Sequence, residues 1–128
     1  MRILGIGVDI VEIARLDAAI QRQGQALIDR CFLPAEQAYC NLQREPARGY
    51  AARFAAKEAV AKAFGTGIGA HLGWLSVEVR RKASGEPFVV LLGEGAETAR
   101  RLGVTEVFLS LSHSEHYAVA NAVAIGAA

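Results

Sequence analysis

The spacing of apolar and polar positions changes period along the chain, and each change predicts an element. Ile3 to Ile10, "ILGIGVDI", is apolar apart from Asp9, which predicts a strand buried on both faces with one acid set into it. From Glu12 to Gln23 the period becomes helical, and Gly24 breaks it. A second helical region spans Leu27 to Gln43 with an interruption at Pro34. The Glu45-Pro46 step then separates it from a long alanine-rich helix that carries "RFAAKEAVAKAF", Arg53 to Phe64, and stops at Gly65 and Gly67. Strand grammar follows: Trp74 to Arg81 and Phe88 to Leu92 are β-branched and alternating, and "ASGEP", Ala83 to Pro87, is turn chemistry, so the three predict a hairpin. Glu94 to Leu102 predicts a short helix. Val107 to His113 and Tyr117 to Ile125 predict two more strands, joined around Ser114-Glu115-His116. The last of these alternates alanine with larger residues and so offers a flat surface to a helix. The expected fold is α+β, an antiparallel meander with helices packed on one side.

Composition narrows the picture. A chain of 128 residues is most simply one domain, and 52% hydrophobic residues exceed the ordinary soluble share, which predicts apolar surface covered by another subunit. A net charge of +1 gives no reason to expect nucleic acid or a membrane surface as partner. Asp9 interrupts the apolar start before a signal or membrane-spanning segment is complete, and repeats and low-complexity linkers are absent. Cys31 and Cys40 lack CxxC spacing and neighbouring histidines. They read as packed thiols in a reduced, cytoplasmic chain rather than as zinc ligands.

The candidate chemistry lies in the alanine-rich helix and in Asp9. At about 100° per residue, Ala52, Ala56, Ala59 and Ala63 form a packing stripe with Val60 at its edge, while Arg53, Lys57, Glu58 and Lys62 occupy the other half with Phe54 among them. Taken alone, that half is a solvated face with a Glu58–Lys62 pair at i,i+4. Asp9 weighs against so plain a reading, because an acid in an apolar strand needs a compensating partner: an arginine, a helix N-terminus, or a divalent cation shared with a second carboxylate. Glu58 is the best second acid by context, and a two-carboxylate set with oxygen ligands suits Mg²⁺. "GIGVDI" lacks the third glycine of a dinucleotide fingerprint, and "GTGIG", Gly65 to Gly69, lacks the Lys-Ser/Thr of a P-loop. His113, at a strand end beside a turn, either bonds a ligand phosphate or completes the turn.

Three segments together resemble the holo-acyl-carrier-protein synthases of the phosphopantetheinyl transferase superfamily: "GIGVDIVEI" at Gly5 to Ile13, "RFAAKEAVAKAFGTG" at Arg53 to Gly67, and "LSLSHSEHYAVA" at Leu109 to Ala120. Their order and spacing span nearly the whole chain. The resemblance implies transfer of 4′-phosphopantetheine from coenzyme A to a serine of an acyl carrier protein, in fatty acid biosynthesis, with release of adenosine 3′,5′-bisphosphate. It implies Mg²⁺ held by Asp9 and Glu58 against the coenzyme A pyrophosphate, with Lys62 as a further catalytic charge. The serine proton goes either to a metal-bound water or to Glu58. Arg53, Lys57, Lys62 and His113 are the implied contacts to coenzyme A phosphates, Gly65, Thr66 and Gly67 the implied backbone approach, and Pro87 a flank of the adenine. An acidic carrier protein is expected to meet Arg15, Arg22 and Phe54. Similar short chains form trimers with active sites between subunits. The rival reading is a non-catalytic module that binds coenzyme A or carriers. One departure stands out: the turn Ser84-Gly85-Glu86-Pro87 lacks the asparagine and lysine that relatives often place around the glycine, which bears on adenine-side contacts.

Overall fold

The computed structural model describes residues 1–128. In chain order the elements are β1 (Arg2–Glu12), α1 (Ile13–Gln23), α2 (Gln25–Cys31), α3 (Pro34–Asn41), α4 (Pro46–Phe64), β2 (Val77–Arg81), β3 (Pro87–Leu91), α5 (Gly93–Leu102), β4 (Val104–His113) and β5 (Tyr117–Gly126). Pro34 does split the second helical region, and Pro46 opens α4 at a position where a missing N–H is harmless. Gly65 ends α4 in the left-handed conformation, with φ 77°. Trp74–Ser76, expected as strand, is a 3-10 turn leading into β2.

The fold is α+β, as its periodicities predict, but its strands divide into two sheets rather than one meander. β1, β5 and β4 form an antiparallel sheet with β5 in the centre, and β2 and β3 form a separate hairpin. The last strand takes the middle because β1 returns to it: Asp9 stands opposite Ala120, and Ala120 opposite Leu111. Ala118, Ala120, Ala122 and Ala124 of β5 are fully buried. Their small side chains leave room for α4, whose Ala55, Ala56, Ala59 and Val60 are buried in the same core.

Two expectations about burial are corrected. β1 is not buried on both faces: Ile6, Val8 and Ile10 are 70%, 54% and 61% exposed. Only the Gly5, Gly7 and Asp9 face meets α4, since side chains alternate along a strand. A Cβ at Gly5 would stand 1.9 Å from the Ala63 carbonyl oxygen, and one at Gly7 2.0 Å from that of Ala59. Nor is the charged half of α4 solvated throughout, for Arg53 and Lys57 are buried along with the alanines and only Lys62 is exposed. The helix is enclosed because α1, α3 and β2 pack on it as well as the sheet, and Cys31 and Trp74 close over Lys57.

Candidate active site

The strand face that accepts α4 continues from Gly5 and Gly7 to Asp9, which brings that acid to the flank of the helix carrying Glu58. Both line one open cleft of about 620 Å³, together with Ile10, Val11, Arg15, Leu16 and Phe54. Lys62, one turn beyond Glu58, donates to Asp9 Oδ1 at 3.1 Å and to the Val8 carbonyl at 2.9 Å. The expected Glu58–Lys62 pair is therefore replaced by a Lys62–Asp9 pair, half-exposed on the lysine side. Burial, and next the charge of Asp9, push the Glu58 carboxyl above its ordinary range, with Lys62 opposing them. The carboxylates here, Asp9, Glu12 and Glu58, outnumber the two cations, Arg15 and Lys62, so the paired acids Asp9 and Glu58 fit a hard divalent cation.

Phe54 stacks on Trp74, ring centroids 4.5 Å apart, and forms an apolar wall of the cleft. Arg15 lies on its rim, whereas Arg22, a further two turns along α1, is exposed and lines no part of it. Beyond Lys62, the N–H groups of Thr66 and Gly67 both donate to the Ala61 carbonyl, and the Thr66 hydroxyl bonds the Gly67 carbonyl, fixing an exposed turn after α4.

The remaining cations gather elsewhere. Arg44, Arg48, Arg53, Arg81 and His113 surround a second basin of about 480 Å³, with Tyr39 in its wall. His113 lies on β4 and Asp9 on β1, opposite edges of the sheet. The chain thus presents its acids at one edge and its strongest basic cluster at the other. Pro87 pairs with Arg81 across the hairpin, next to that cluster.

Lys57 departs from its expected phosphate contact. Its ammonium is fully buried and donates to the Cys31 carbonyl (2.8 Å), Glu36 Oε1 (2.7 Å) and the Trp74 carbonyl (2.8 Å), so all three N–H groups are engaged inside the protein. Burial holds its pKa below the usual lysine range, against the pull of Glu36. Sequence reading missed Glu36, whose signal was its place three residues after Leu33 at a Pro-initiated helix start. It also missed Tyr39, Arg44, Arg48 and Arg81 of the basin. Cys31 and Cys40 are free and buried, as expected of packed thiols, and burial pushes Cys40 up to about 11. No helix is long and apolar enough to cross a membrane.

The fold first defines a class of α+β enzymes. It superposes on the crystal structure of holo-acyl-carrier-protein synthase from Neisseria meningitidis with a TM-score of 0.91 and 34% identity, over 96% of this chain and 98% of that one. The Helicobacter pylori holo-acyl-carrier-protein synthase, solved in complex with coenzyme A, gives a TM-score of 0.84 at 29% identity, over 94% of this chain and 99% of that one. The chain belongs to the 4′-phosphopantetheinyl transferase superfamily, whose profile matches residues 5–122. Among named relatives it is similar to the holo-acyl-carrier-protein synthase of Desulforudis audaxviator, 49% identical over 124 residues, which are 97% of this chain and 94% of that relative.

Proposed function

We propose that this chain acts as one phosphopantetheinyl transferase domain that moves 4′-phosphopantetheine from coenzyme A to a serine of an apo-acyl carrier protein, releasing adenosine 3′,5′-bisphosphate. The observation that carries the reading is the meeting of Asp9 and Glu58 in one cleft, with Lys62 paired to Asp9 beside it, in a chain of this superfamily. Asp9 and Glu58 would hold Mg²⁺, which when bound would draw charge from the donor pyrophosphate. Lys62 follows the phosphate that leaves as its charge grows, moving from Asp9 to that oxygen. The attacking serine loses its proton within the cleft, to Glu58 or to a water there. Thr66, with Gly65 and Gly67, lets main chain approach the donor, and Pro87 flanks its adenine. Arg15, Arg22 and Phe54 receive the acidic carrier.

Arg53 and His113 contact the donor's phosphates from the basin at the far sheet edge. A site whose halves lie at opposite edges of one chain's sheet is completed by a neighbouring copy. The exposed apolar row Ile6, Val8 and Ile10, with Phe108 half exposed, supplies a surface for such a neighbour. The assembly is a homotrimer, and its setting is fatty acid biosynthesis in the cytoplasm.

Incubation with coenzyme A, Mg²⁺ and apo-carrier tests the reading by mass spectrometry. The carrier gains the mass of one phosphopantetheine arm, the gain vanishes with chelator, and Asp9→Ala or Glu58→Ala abolishes it. An unchanged carrier mass with the unaltered protein would refute transfer and favour a binding module.

A further inference from the structure

The basin beside His113 holds a cation without a counter-ion. Arg53 is 2% exposed and its Nε has no hydrogen-bond partner. None of the chain's ion pairs involves it. Glu45, the one acid of the basin, is engaged by Arg48 at 2.9 Å. A guanidinium buried in this way is unfavourable unless something offsets its charge. What the chain provides is an aromatic face. Arg53 Cζ lies 4.1 Å from the centroid of the Tyr39 ring, and Arg81 Cζ lies 5.8 Å from the same centroid. The ring comes from α3, one arginine from α4 and the other from β2, so three separate elements meet at one side chain.

We propose that Tyr39 is a positioning residue for anion binding, its ring gathering the guanidinium groups of Arg53 and Arg81 into a preformed pair for a phosphomonoester of the donor. A guanidinium that meets an aromatic ring keeps its N–H groups available for phosphate oxygens. A cation already fixed by the ring loses little further freedom when the anion arrives, and affinity rises through that preorganisation. The inference rests on the reading of the donor as coenzyme A and extends it to an uncharged residue. It makes Tyr39 a determinant of discrimination between coenzyme A and 3′-dephospho-coenzyme A, which differ by one phosphomonoester.

Calorimetric titration of the intact protein with each compound, in Mg²⁺, tests it without requiring turnover. The unaltered protein is expected to bind coenzyme A more tightly than the dephospho form. Tyr39→Leu, and Tyr39→Met in case the smaller residue does not fold, are expected to weaken coenzyme A about tenfold, the order lost with one cation–π contact in a desolvated site. The same variants should move the dephospho form less than twofold, and Tyr39→Phe, which keeps the ring face, should retain the discrimination. Equal losses for both compounds, or no loss for either, would overturn the proposal, since a merely structural role affects both alike. Equal binding of the two by the unaltered protein would also overturn it. Failure of the transfer reading is seen separately, in the mass of the carrier.

Discussion

Lys57 Nζ lies 2.7 Å from Glu36 Oε1 in a position where neither side chain is exposed. Glu36 Oε1 also accepts the Leu33 N–H, and Oε2 accepts the Val79 N–H, both at 2.8 Å. One carboxylate thus ties the start of α3, the middle of α4 and the hairpin together. Removing one partner strands the other as an uncompensated buried charge, so Lys57→Met should destabilise the fold by about 3 to 5 kcal/mol, read as a lowered urea midpoint. Exchanging Glu36 as well for leucine should not restore the loss, because the Leu33 and Val79 amides would then lack acceptors.

Glu58 gives a pH prediction. Its carboxyl is pushed above the ordinary 4.5 first by burial and then by Asp9. A native pKa above the unfolded one means the folded state binds the proton more tightly. This contribution to stability is therefore present at acid pH and fades as pH rises from about the ordinary value through the raised one. Heteronuclear NMR should place the Glu58 midpoint above 4.5 and show it falling only part of the way back in Asp9→Asn, because burial remains. Added Mg²⁺ should lower it further than the substitution does.

The close approach of β1 and α4 makes the glycines testable. Gly7→Ala would put a methyl 2.0 Å from the Ala59 oxygen, a collision with main chain rather than with a pliable side chain. A loss of about 3 kcal/mol or more is expected, seen in thermal melts. At Gly69 nothing lies within 4 Å of the added carbon, so Gly69→Ala should change stability by less than about 1 kcal/mol.

Self-association through the outer sheet face predicts that Val8→Lys, on a strand position 54% exposed in the single chain, yields folded monomer. Light scattering would read the mass and circular dichroism the fold. Carrier transfer should fall with the assembly, and trimeric mass in the variant would count against this face as the contact.

Arg15, on the rim of the acid cleft, is predicted to act on the carrier rather than the donor. Arg15→Glu should raise the KM for an acidic carrier severalfold while that for coenzyme A stays put. Added salt should weaken the carrier interaction more in the unaltered protein than in the variant.

Much of this was readable from residue order, and the misreadings have physical causes. The strand carrying Asp9, the alanine face of α4 and the Gly65 stop depend on local periodicity and were recovered. Arg53 and Lys57 looked solvated because a helical wheel shows one element, whereas their burial is decided by Glu36, Tyr39 and Trp74, which arrive from distant stretches of chain. Ile6, Val8 and Ile10 looked buried because an apolar run carries no label for which side lies against its own chain. Lys62 was matched to Glu58 by helical spacing, but the strand beside the helix places Asp9 within closer reach.

At Gly5 and Gly7 the helix rests on bare main chain, without the pliable side chains that let most packed elements shift against each other. The gap between the acid on the strand and the acid on the helix is consequently gauged by peptide units, the stiffest parts a protein has. For the transfer proposed above, chemistry that tolerates only about half an ångström of misplacement would thereby be tied to the joint with the least slack, and anything that loosened those two glycines would blunt it without touching a single reacting group.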